Sequence, residues 1–153
     1  MKLQKLISRL EQKHHKKLDL SLNRTFNLLN RLGNHQDKLN NIISVVGTNS
    51  KYSICQSLKV ILNQSGYKCN LYLSPHLQSY TERFVFKNKE ISEEILINLL
   101  EDIEKILGDD RATLFEILTC AYLKYCEEFK DNITLIEAGL FTSLTALMFL
   151  KKI

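Results

Sequence analysis

An α/β fold, with a mainly parallel sheet flanked by helices, is the class this sequence predicts. Three observations predict it. Short apolar or β-branched segments at 42–46, 68–73 and 133–136 alternate with longer stretches whose apolar residues recur every three or four positions. The first of them, Ile42-Ile43-Ser44-Val45-Val46, is apolar at nearly every position, as in a parallel sheet covered on both faces. It then runs directly into a polar turn, Gly47-Thr48-Asn49-Ser50-Lys51-Tyr52-Ser53, with an amphipathic helix expected from about residue 54.

Taken in order, Leu3, Leu6, Ile7 and Leu10 recur at helical spacing and predict a short N-terminal helix, read as a peripheral cover that the His14-His15-Lys16-Lys17 cluster ends. Residues 1–18 are thus a basic helical segment ahead of a domain at 19–153. Leu20, Leu22, Phe26, Leu28, Leu29 and Leu32 predict a second helix, with Asp19 or Ser21 as N-cap and Gly33 as its stop. After the strand at 42–46 and the polar turn, Ile54, Leu58, Ile61 and Leu62 predict one buried face of a third helix, which Gly66 ends. A strand at 68–73 follows, so strand, helix and strand form a βαβ unit with a right-handed crossover.

A short strand is expected at 84–86. Ser92 then caps a helix with Glu93 and Glu94 in its first turn, where acids suit the positive end of the helix dipole. Ile95, Leu96, Leu99, Leu100, Ile103, Ile106 and Leu107 are its expected buried stripe, and Gly108 stops it. Thr113 and Glu116 form a capping box for a last helix whose inner face holds Leu114, Leu118, Ala121, Tyr122, Tyr125 and Phe129. The strand at 133–136 leads into Glu137-Ala138-Gly139. A carboxylate just past the C-terminal end of a buried strand faces the crevice where open α/β sheets bind ligands, which makes Glu137 a candidate Mg²⁺ ligand.

With 153 residues, 44% of them hydrophobic, the chain can build one domain with a substantial core. No apolar run approaches the ~20 residues of a membrane-spanning helix, so no membrane partner is expected. Lys2, Lys5, Arg9, Lys13, Lys16 and Lys17 interrupt the start of the chain too often for a secretory leader. These same residues, opposed only by Glu11, account for the net charge of +4 and leave the rest near neutral. They have no aromatic partners nearby, so a solvated helix face is expected and nucleic acid is not. Cys55, Cys69, Cys120 and Cys126 lack metal-ligand spacing and lie in apolar elements, as buried reduced thiols of a cytoplasmic protein do.

The turn at 47–53 carries the chemistry. A strand, a Gly/Thr/Asn turn, a lysine with nearby hydroxyls and a helix start together make a phosphate cradle: backbone N–H groups and the helix N-terminus face the anion, the lysine adds charge, and a hydroxyl can hold Mg²⁺. The strict pattern has glycine before the lysine and Ser/Thr after it, where this chain has Ser50 and Tyr52. By itself the segment therefore also reads as a solvated lysine in a strand-to-helix turn.

Taken together, the motifs resemble the ATPase domain of the folylpolyglutamate synthase/dihydrofolate synthase family, relatives of the Mur ligases. The family loop G-T-N-G-K-G-S is matched at five of seven positions by Gly47-Thr48-Asn49-Ser50-Lys51-Tyr52-Ser53. Four more motifs fall in the family's order: Leu32-Gly33-Asn34 before the first strand, then, after the loop, Ser74-Pro75-His76-Leu77 with Glu82-Arg83, Thr113-Leu114-Phe115-Glu116, and Glu137-Ala138-Gly139-Leu140. The resemblance covers roughly 20–140. It implies a partial phosphate-loop, Mur ligase-like domain at 19–153, the truncated N-terminal ATP-binding part of a longer ATP-dependent ligase, and ATP and Mg²⁺ as cofactors. Such ligases phosphorylate the carboxylate of dihydropteroate or of a folate, and the amino group of glutamate then attacks the acyl phosphate.

By the same resemblance, Gly47, Thr48, Asn49, Ser50, Lys51 and Ser53 would cradle ATP, with Lys51 the catalytic residue on the β/γ-phosphates. Ser53, Ser74 and Glu137 would hold Mg²⁺, and His76, Glu82 and Arg83 would lie towards the pterin substrate. This chain departs from the family at Ser50 and Tyr52, and again where G-L-G-G-R-x-D-A-T-N is replaced by Gly139-Leu140-Phe141-Thr142-Ser143-Leu144-Thr145-Ala146-Leu147-Met148. The expectation is a fragment inactive alone, with self-association through the apolar tail at 140–150. The alternative is a non-catalytic α/β remnant or interaction module that no longer binds ATP; a generic phosphate-loop kinase or GTPase accounts for fewer of the motifs.

Overall fold

The structure is a computed structural model, and it describes residues 2–13 and 23–138. Five helices are present among them: α1 (Lys2–Lys13), α2 (Asn23–Leu32), α3 (Lys51–Gln64), α4 (Glu93–Leu107) and α5 (Leu114–Cys126). Five strands, β1 (Ile42–Val45), β2 (Cys69–Tyr72), β3 (Phe84–Phe86), β4 (Lys89–Glu90) and β5 (Ile133–Glu137), form one sheet in the order β1-β5-β2-β3-β4. β1, β5 and β2 run parallel, and the β3–β4 hairpin adds antiparallel strands beside β2. The predicted class, an α/β domain with a mainly parallel sheet flanked by helices, is the one observed.

Alternation along the strands splits the core in two, because successive side chains point to opposite faces. Tyr72, Phe84, Phe86 and Ile136 face a large cluster built with α1, α2, α4 and α5. Leu71, Leu73, Val85 and Leu135 face a smaller one, closed by Cys55, Leu58 and Leu62 of α3. On the thick side Tyr72 and Tyr122 stack with ring centroids 4.8 Å apart, and Phe86 meets Tyr125 edge-on. A buried amide ties the far end of the sheet: Asn70 Nδ2 donates to the Phe129 carbonyl at 3.2 Å and Asn132 Nδ2 donates to Asn70 Oδ1 at 2.9 Å.

Several expectations are corrected by this arrangement. α1 is no peripheral cover: Leu3, Leu6, Ile7 and Leu10 are buried in the large cluster, and Arg9 clasps Glu104 of α4 through two hydrogen bonds of 3.1 and 2.6 Å. Among the described residues β1 is an edge strand, with Ile43 exposed, rather than one buried on both faces. The expected strand–helix–strand connection of β1, α3 and β2 is present, with β5 lying between the two strands. α3 begins at Lys51, three residues earlier than expected, and presents Cys55, Leu58 and Leu62 to the sheet while Ile54 and Ile61 are exposed. In α4, Ile95 is exposed and Ile97 buried. The β4 strand was not anticipated, since Lys89 and Glu90 are both charged and exposed.

The helix signals are realised as read. Ser92 Oγ accepts from the Ile95 N–H at 3.2 Å, and Thr113 and Glu116 complete the capping box of α5. Gly33 and Gly108 take φ values of +94° and +60° where α2 and α4 end, a conformation glycine adopts without a Cβ clash. The boundary expected near residue 18, the caps at Asp19 and Ser21 and the apolar tail at 140–150 all lie outside the described residues.

Candidate functional site

Parallel register brings the C-terminal ends of three strands side by side. Val45 pairs with Glu137 across β1 and β5, Tyr72 pairs with Ile136 across β2 and β5, and the Ala138 N–H donates to the Val45 carbonyl at 3.0 Å. The turn after β1, the carboxylate ending β5 and the loop after β2 therefore share one edge of the sheet, the edge where open α/β sheets bind ligands.

The turn itself is exposed from Val46 to Ser50. Gly47 has φ +153°, a value that side chains disfavour, and Ser50 is left-handed at φ 62°, ψ 7°. One of the two loop positions where the resembling pattern has glycine thus does require positive φ; the other, Tyr52, is ordinary helix. Ser50 provides no side-chain cap to α3 and no acid sits in its first turn, so no carboxylate competes for the N–H groups there. The Lys51 ammonium folds back to donate to the Thr48 carbonyl at 3.4 Å, a contact an arriving anion would replace. Thr48 and Asn49 are exposed on the turn, and Ser53 is exposed in the first turn of α3.

Glu137 is 5% exposed, and its Oε2 accepts from the Ser74 N–H at 3.1 Å, joining two candidate metal ligands 63 positions apart. No bond among the described residues takes Oε1. Alternation along β5 puts Glu137 on the α3 side with Leu135, next to the Cys55 thiol. Burial first and the Glu137 charge second, opposed by the Lys51 charge, push that thiol up to about 12, so Cys55 lies within the fields of both Glu137 and Lys51. A cavity of about 590 Å³ opens beside them, lined by Tyr52, Gln56 and Lys59 from α3, Ser74 and Pro75 from the loop after β2, and Glu137.

The remaining predicted residues sit in that loop. Glu82 accepts from the backbone N–H groups of Leu77, Gln78 and Ser79 at 2.8, 2.8 and 2.6 Å, which hold its carboxyl below the usual range. Its carboxylate is thereby engaged in building the loop. Arg83 Nε donates to His76 Nδ1 at 2.9 Å, and both groups lie against the Tyr80 ring. Burial first, and Arg83 second, lower the imidazole's pKa, in keeping with an Nδ1 that accepts from the Arg83 Nε–H.

The sequence reading missed the Tyr52–Gln56–Lys59 wall, although its i, i+4, i+7 spacing is legible once α3 is known to begin at Lys51. Among the described residues no group of three or more His, Cys, Asp and Glu could hold a metal, and no helix is long and apolar enough to cross a membrane. A divalent cation at Glu137 would rest on one carboxylate, hydroxyls and ligand oxygens, a donor set that suits Mg²⁺ bound with phosphates.

No family model matches the chain. The dihydrofolate synthase/folylpolyglutamate synthase of Escherichia coli K12 is 35% identical over 134 residues, which cover 88% of this chain and 32% of that protein. The dihydrofolate synthetase of Saccharomyces cerevisiae is 34% identical over 125 residues, covering 80% and 29%. By sequence and fold, the chain belongs with the folylpolyglutamate synthase/dihydrofolate synthase family.

Solved structures of this family superpose on it. E. coli FolC in complex with DHPP and ADP aligns with a TM-score of 0.83 at 35% identity, covering 90% of this chain and 33% of that one. The Yersinia pestis bifunctional enzyme complexed with AMPPNP and Mn ion aligns at 0.82 with 33% identity and the same coverage. The Mur ligase-like fold class is thus shared. The chain spans about a third of the length of the curated relatives it matches.

Proposed function

We propose that this chain holds Mg²⁺-ATP in the turn at 47–53 as the nucleotide-binding part of a ligase of the folylpolyglutamate synthase/dihydrofolate synthase family. The ligation is addition of glutamate to the carboxylate of a folate or of dihydropteroate through an acyl phosphate. The observation that carries the proposal is the meeting of three features at one sheet edge: an α3 N-terminus with no side-chain cap, Lys51, and the buried Glu137 held by Ser74. The ADP and AMPPNP complexes of the aligned relatives support the nucleotide, and the Mn ion supports a divalent metal.

In this reading the N–H groups of the turn and first helical turn, with Lys51, bind the phosphate oxygens, while Gly47, Thr48 and Asn49 shape the loop. Ser53, Ser74 and Glu137 hold the metal, with Glu137 Oε1 available to it because the Ser74 N–H already occupies Oε2. The metal supplies charge neutralisation for phosphate oxygens as the γ-phosphoryl group moves. Lys51 adds a second positive charge at the same oxygens. His76 and Arg83 face the pterin side, and Glu82 keeps their loop folded. Four free, buried thiols support a cytoplasmic setting.

These 153 residues do not turn over by themselves, a view supported by their span of about a third of the relatives. Equilibrium dialysis with Mg²⁺-ATP, run beside an assay for ADP release with dihydropteroate and glutamate, tests both parts. Binding without glutamate-dependent ADP release is expected. ADP release that depends on glutamate would overturn the inactivity of the isolated chain. Absence of ATP binding would leave the second reading, a non-catalytic interaction module, which the left-handed Ser50 favours.

A further inference from the structure

The cavity beside Glu137 has walls of unequal shape and charge. Tyr52, Gln56 and Lys59 lie along one face of α3, a wall about 10 Å long at ~1.5 Å per residue. Tyr52 stands where the family loop has glycine, yet its backbone is ordinary helix, so its ring is tolerated without strain and is about half exposed in the cavity. Leu73 and Val85, on the sheet, line the cavity too and give it an apolar floor. Among the described residues its charged lining is one-sided: the carboxylates of Glu82, Glu90 and Glu137 against the ammonium of Lys59.

A planar aryl carboxylate suits such a slot. Its ring can lie against the Tyr52 ring and the aliphatic floor, and it brings one negative charge, which belongs at the metal and Lys51 end. A chain ending in glutamate brings a tetrahedral carbon and a second carboxylate a few bonds from the first. That extra charge would sit towards Glu82 and Glu90, with Lys59 the one ammonium among the described lining residues to offset them, and like charges at short range repel. We propose that Tyr52 is a specificity-determining residue that selects a flat aryl monocarboxylate, of the dihydropteroate type, over a folate ending in glutamate. The proposal rests on the ligase reading above.

Pteroate and folate, which differ by the terminal glutamate, are the probes. Each is titrated, with Mg²⁺-AMPPNP present, into the chain and into its Tyr52→Phe and Tyr52→Gly variants, and AMPPNP binding is measured separately in all three. Pteroate is expected to bind about tenfold or more tightly than folate, a discrimination within reach of one pocket contact and one misplaced charge. Tyr52→Phe should keep that ratio, and Tyr52→Gly should reduce it to within about threefold. If circular dichroism shows Tyr52→Gly unfolded, Tyr52→Ala, which restores helix propensity, replaces it. Equal affinities in the unaltered chain, or a ratio that Tyr52→Gly leaves unchanged, would overturn the proposal. So would failure of both probes to bind a chain that binds AMPPNP, with the ligase reading left standing. Failure of AMPPNP to bind would overturn the ligase reading first and this one with it.

Discussion

The first turns of α5 and α3 are built from opposite chemistries. At α5, Thr113 Oγ1 accepts from the Glu116 N–H at 3.2 Å and Glu116 Oε2 accepts from the Thr113 N–H at 2.6 Å. Glu116 Oε1 also takes a hydrogen bond from Thr25 at 3.2 Å and faces Arg24 at 3.5 Å, so the cap fastens α2 to α5. At α3 there is no side-chain cap and no acid, the N-cap residue is left-handed, and the first residue is a lysine. A capped helix start spends its N–H groups on the protein. An uncapped one beside a lysine leaves them open to an anion from outside. The two starts also belong to different faces of the sheet, the thick helical layer and the thin one that, among the described residues, α3 closes.

Perturbing each start should separate stability from binding. The largest effect is expected from Glu116→Ala, which removes a nearly buried carboxylate that takes two hydrogen bonds. A loss of about 2–3 kcal/mol in urea unfolding is expected, the size of hydrogen bonds to a charged group. A change within ~0.5 kcal/mol would mean that the cap does not fasten the thick layer. Ser50→Gly should act in the other direction. A left-handed non-glycine residue costs about 1–2 kcal/mol, part of which glycine returns as unfolded-state entropy, so a net gain of about 0.5–1 kcal/mol is expected. Destabilisation by the glycine would show that the Ser50 conformation is not what strains the turn.

A third cap gives the smallest effect. Glu82 closes the turn at Tyr80–Arg83 and is held below its ordinary pKa by the N–H groups of Leu77, Ser79 and Gln78. Because its folded pKa is depressed, the order it lends to the loop is present above the unfolded value of ~4.3 and is lost as pH falls through the folded value. Amide exchange at Leu77, Gln78 and Ser79 should quicken in acid, below ~4.3, with the global fold unchanged. Exchange that is flat with pH, after correction for its intrinsic rate, would remove Glu82 from that role.

The sequence displayed the capped starts plainly and the uncapped one only in part. Ser92, Thr113 and Glu116 act through neighbours three residues away, so spacing alone reveals them. α3 is harder to read because its start depends on a backbone conformation at Ser50 that no local side chain announces. The three-residue error in its start also shifted its inner face from Cys55 to Ile54. β4 was hidden because a two-residue exposed strand of Lys89 and Glu90 has no hydrophobic signal. The edge position of β1 and the insertion of β5 depend on pairing between segments some ninety residues apart, which periodicity does not encode. In the site, Gly47, Lys51 and Glu137 were legible as a turn and a strand end. The Glu137–Ser74 contact needed the register of β2 against β5, and the three N–H bonds to Glu82 needed the loop's path.

Calorimetric titration of Mg²⁺-ATP into the chain and into Lys51→Ala tests the central claim, that the α3 start keeps its N–H groups for phosphate. Among the described residues the Lys51 ammonium makes one long hydrogen bond, to the Thr48 carbonyl, so the variant should unfold at the same urea concentration as the unaltered chain. Binding to the unaltered chain with affinity at least about tenfold weaker in Lys51→Ala is the expected result. Equal affinity in the two folded proteins, or no binding in either, would contradict it.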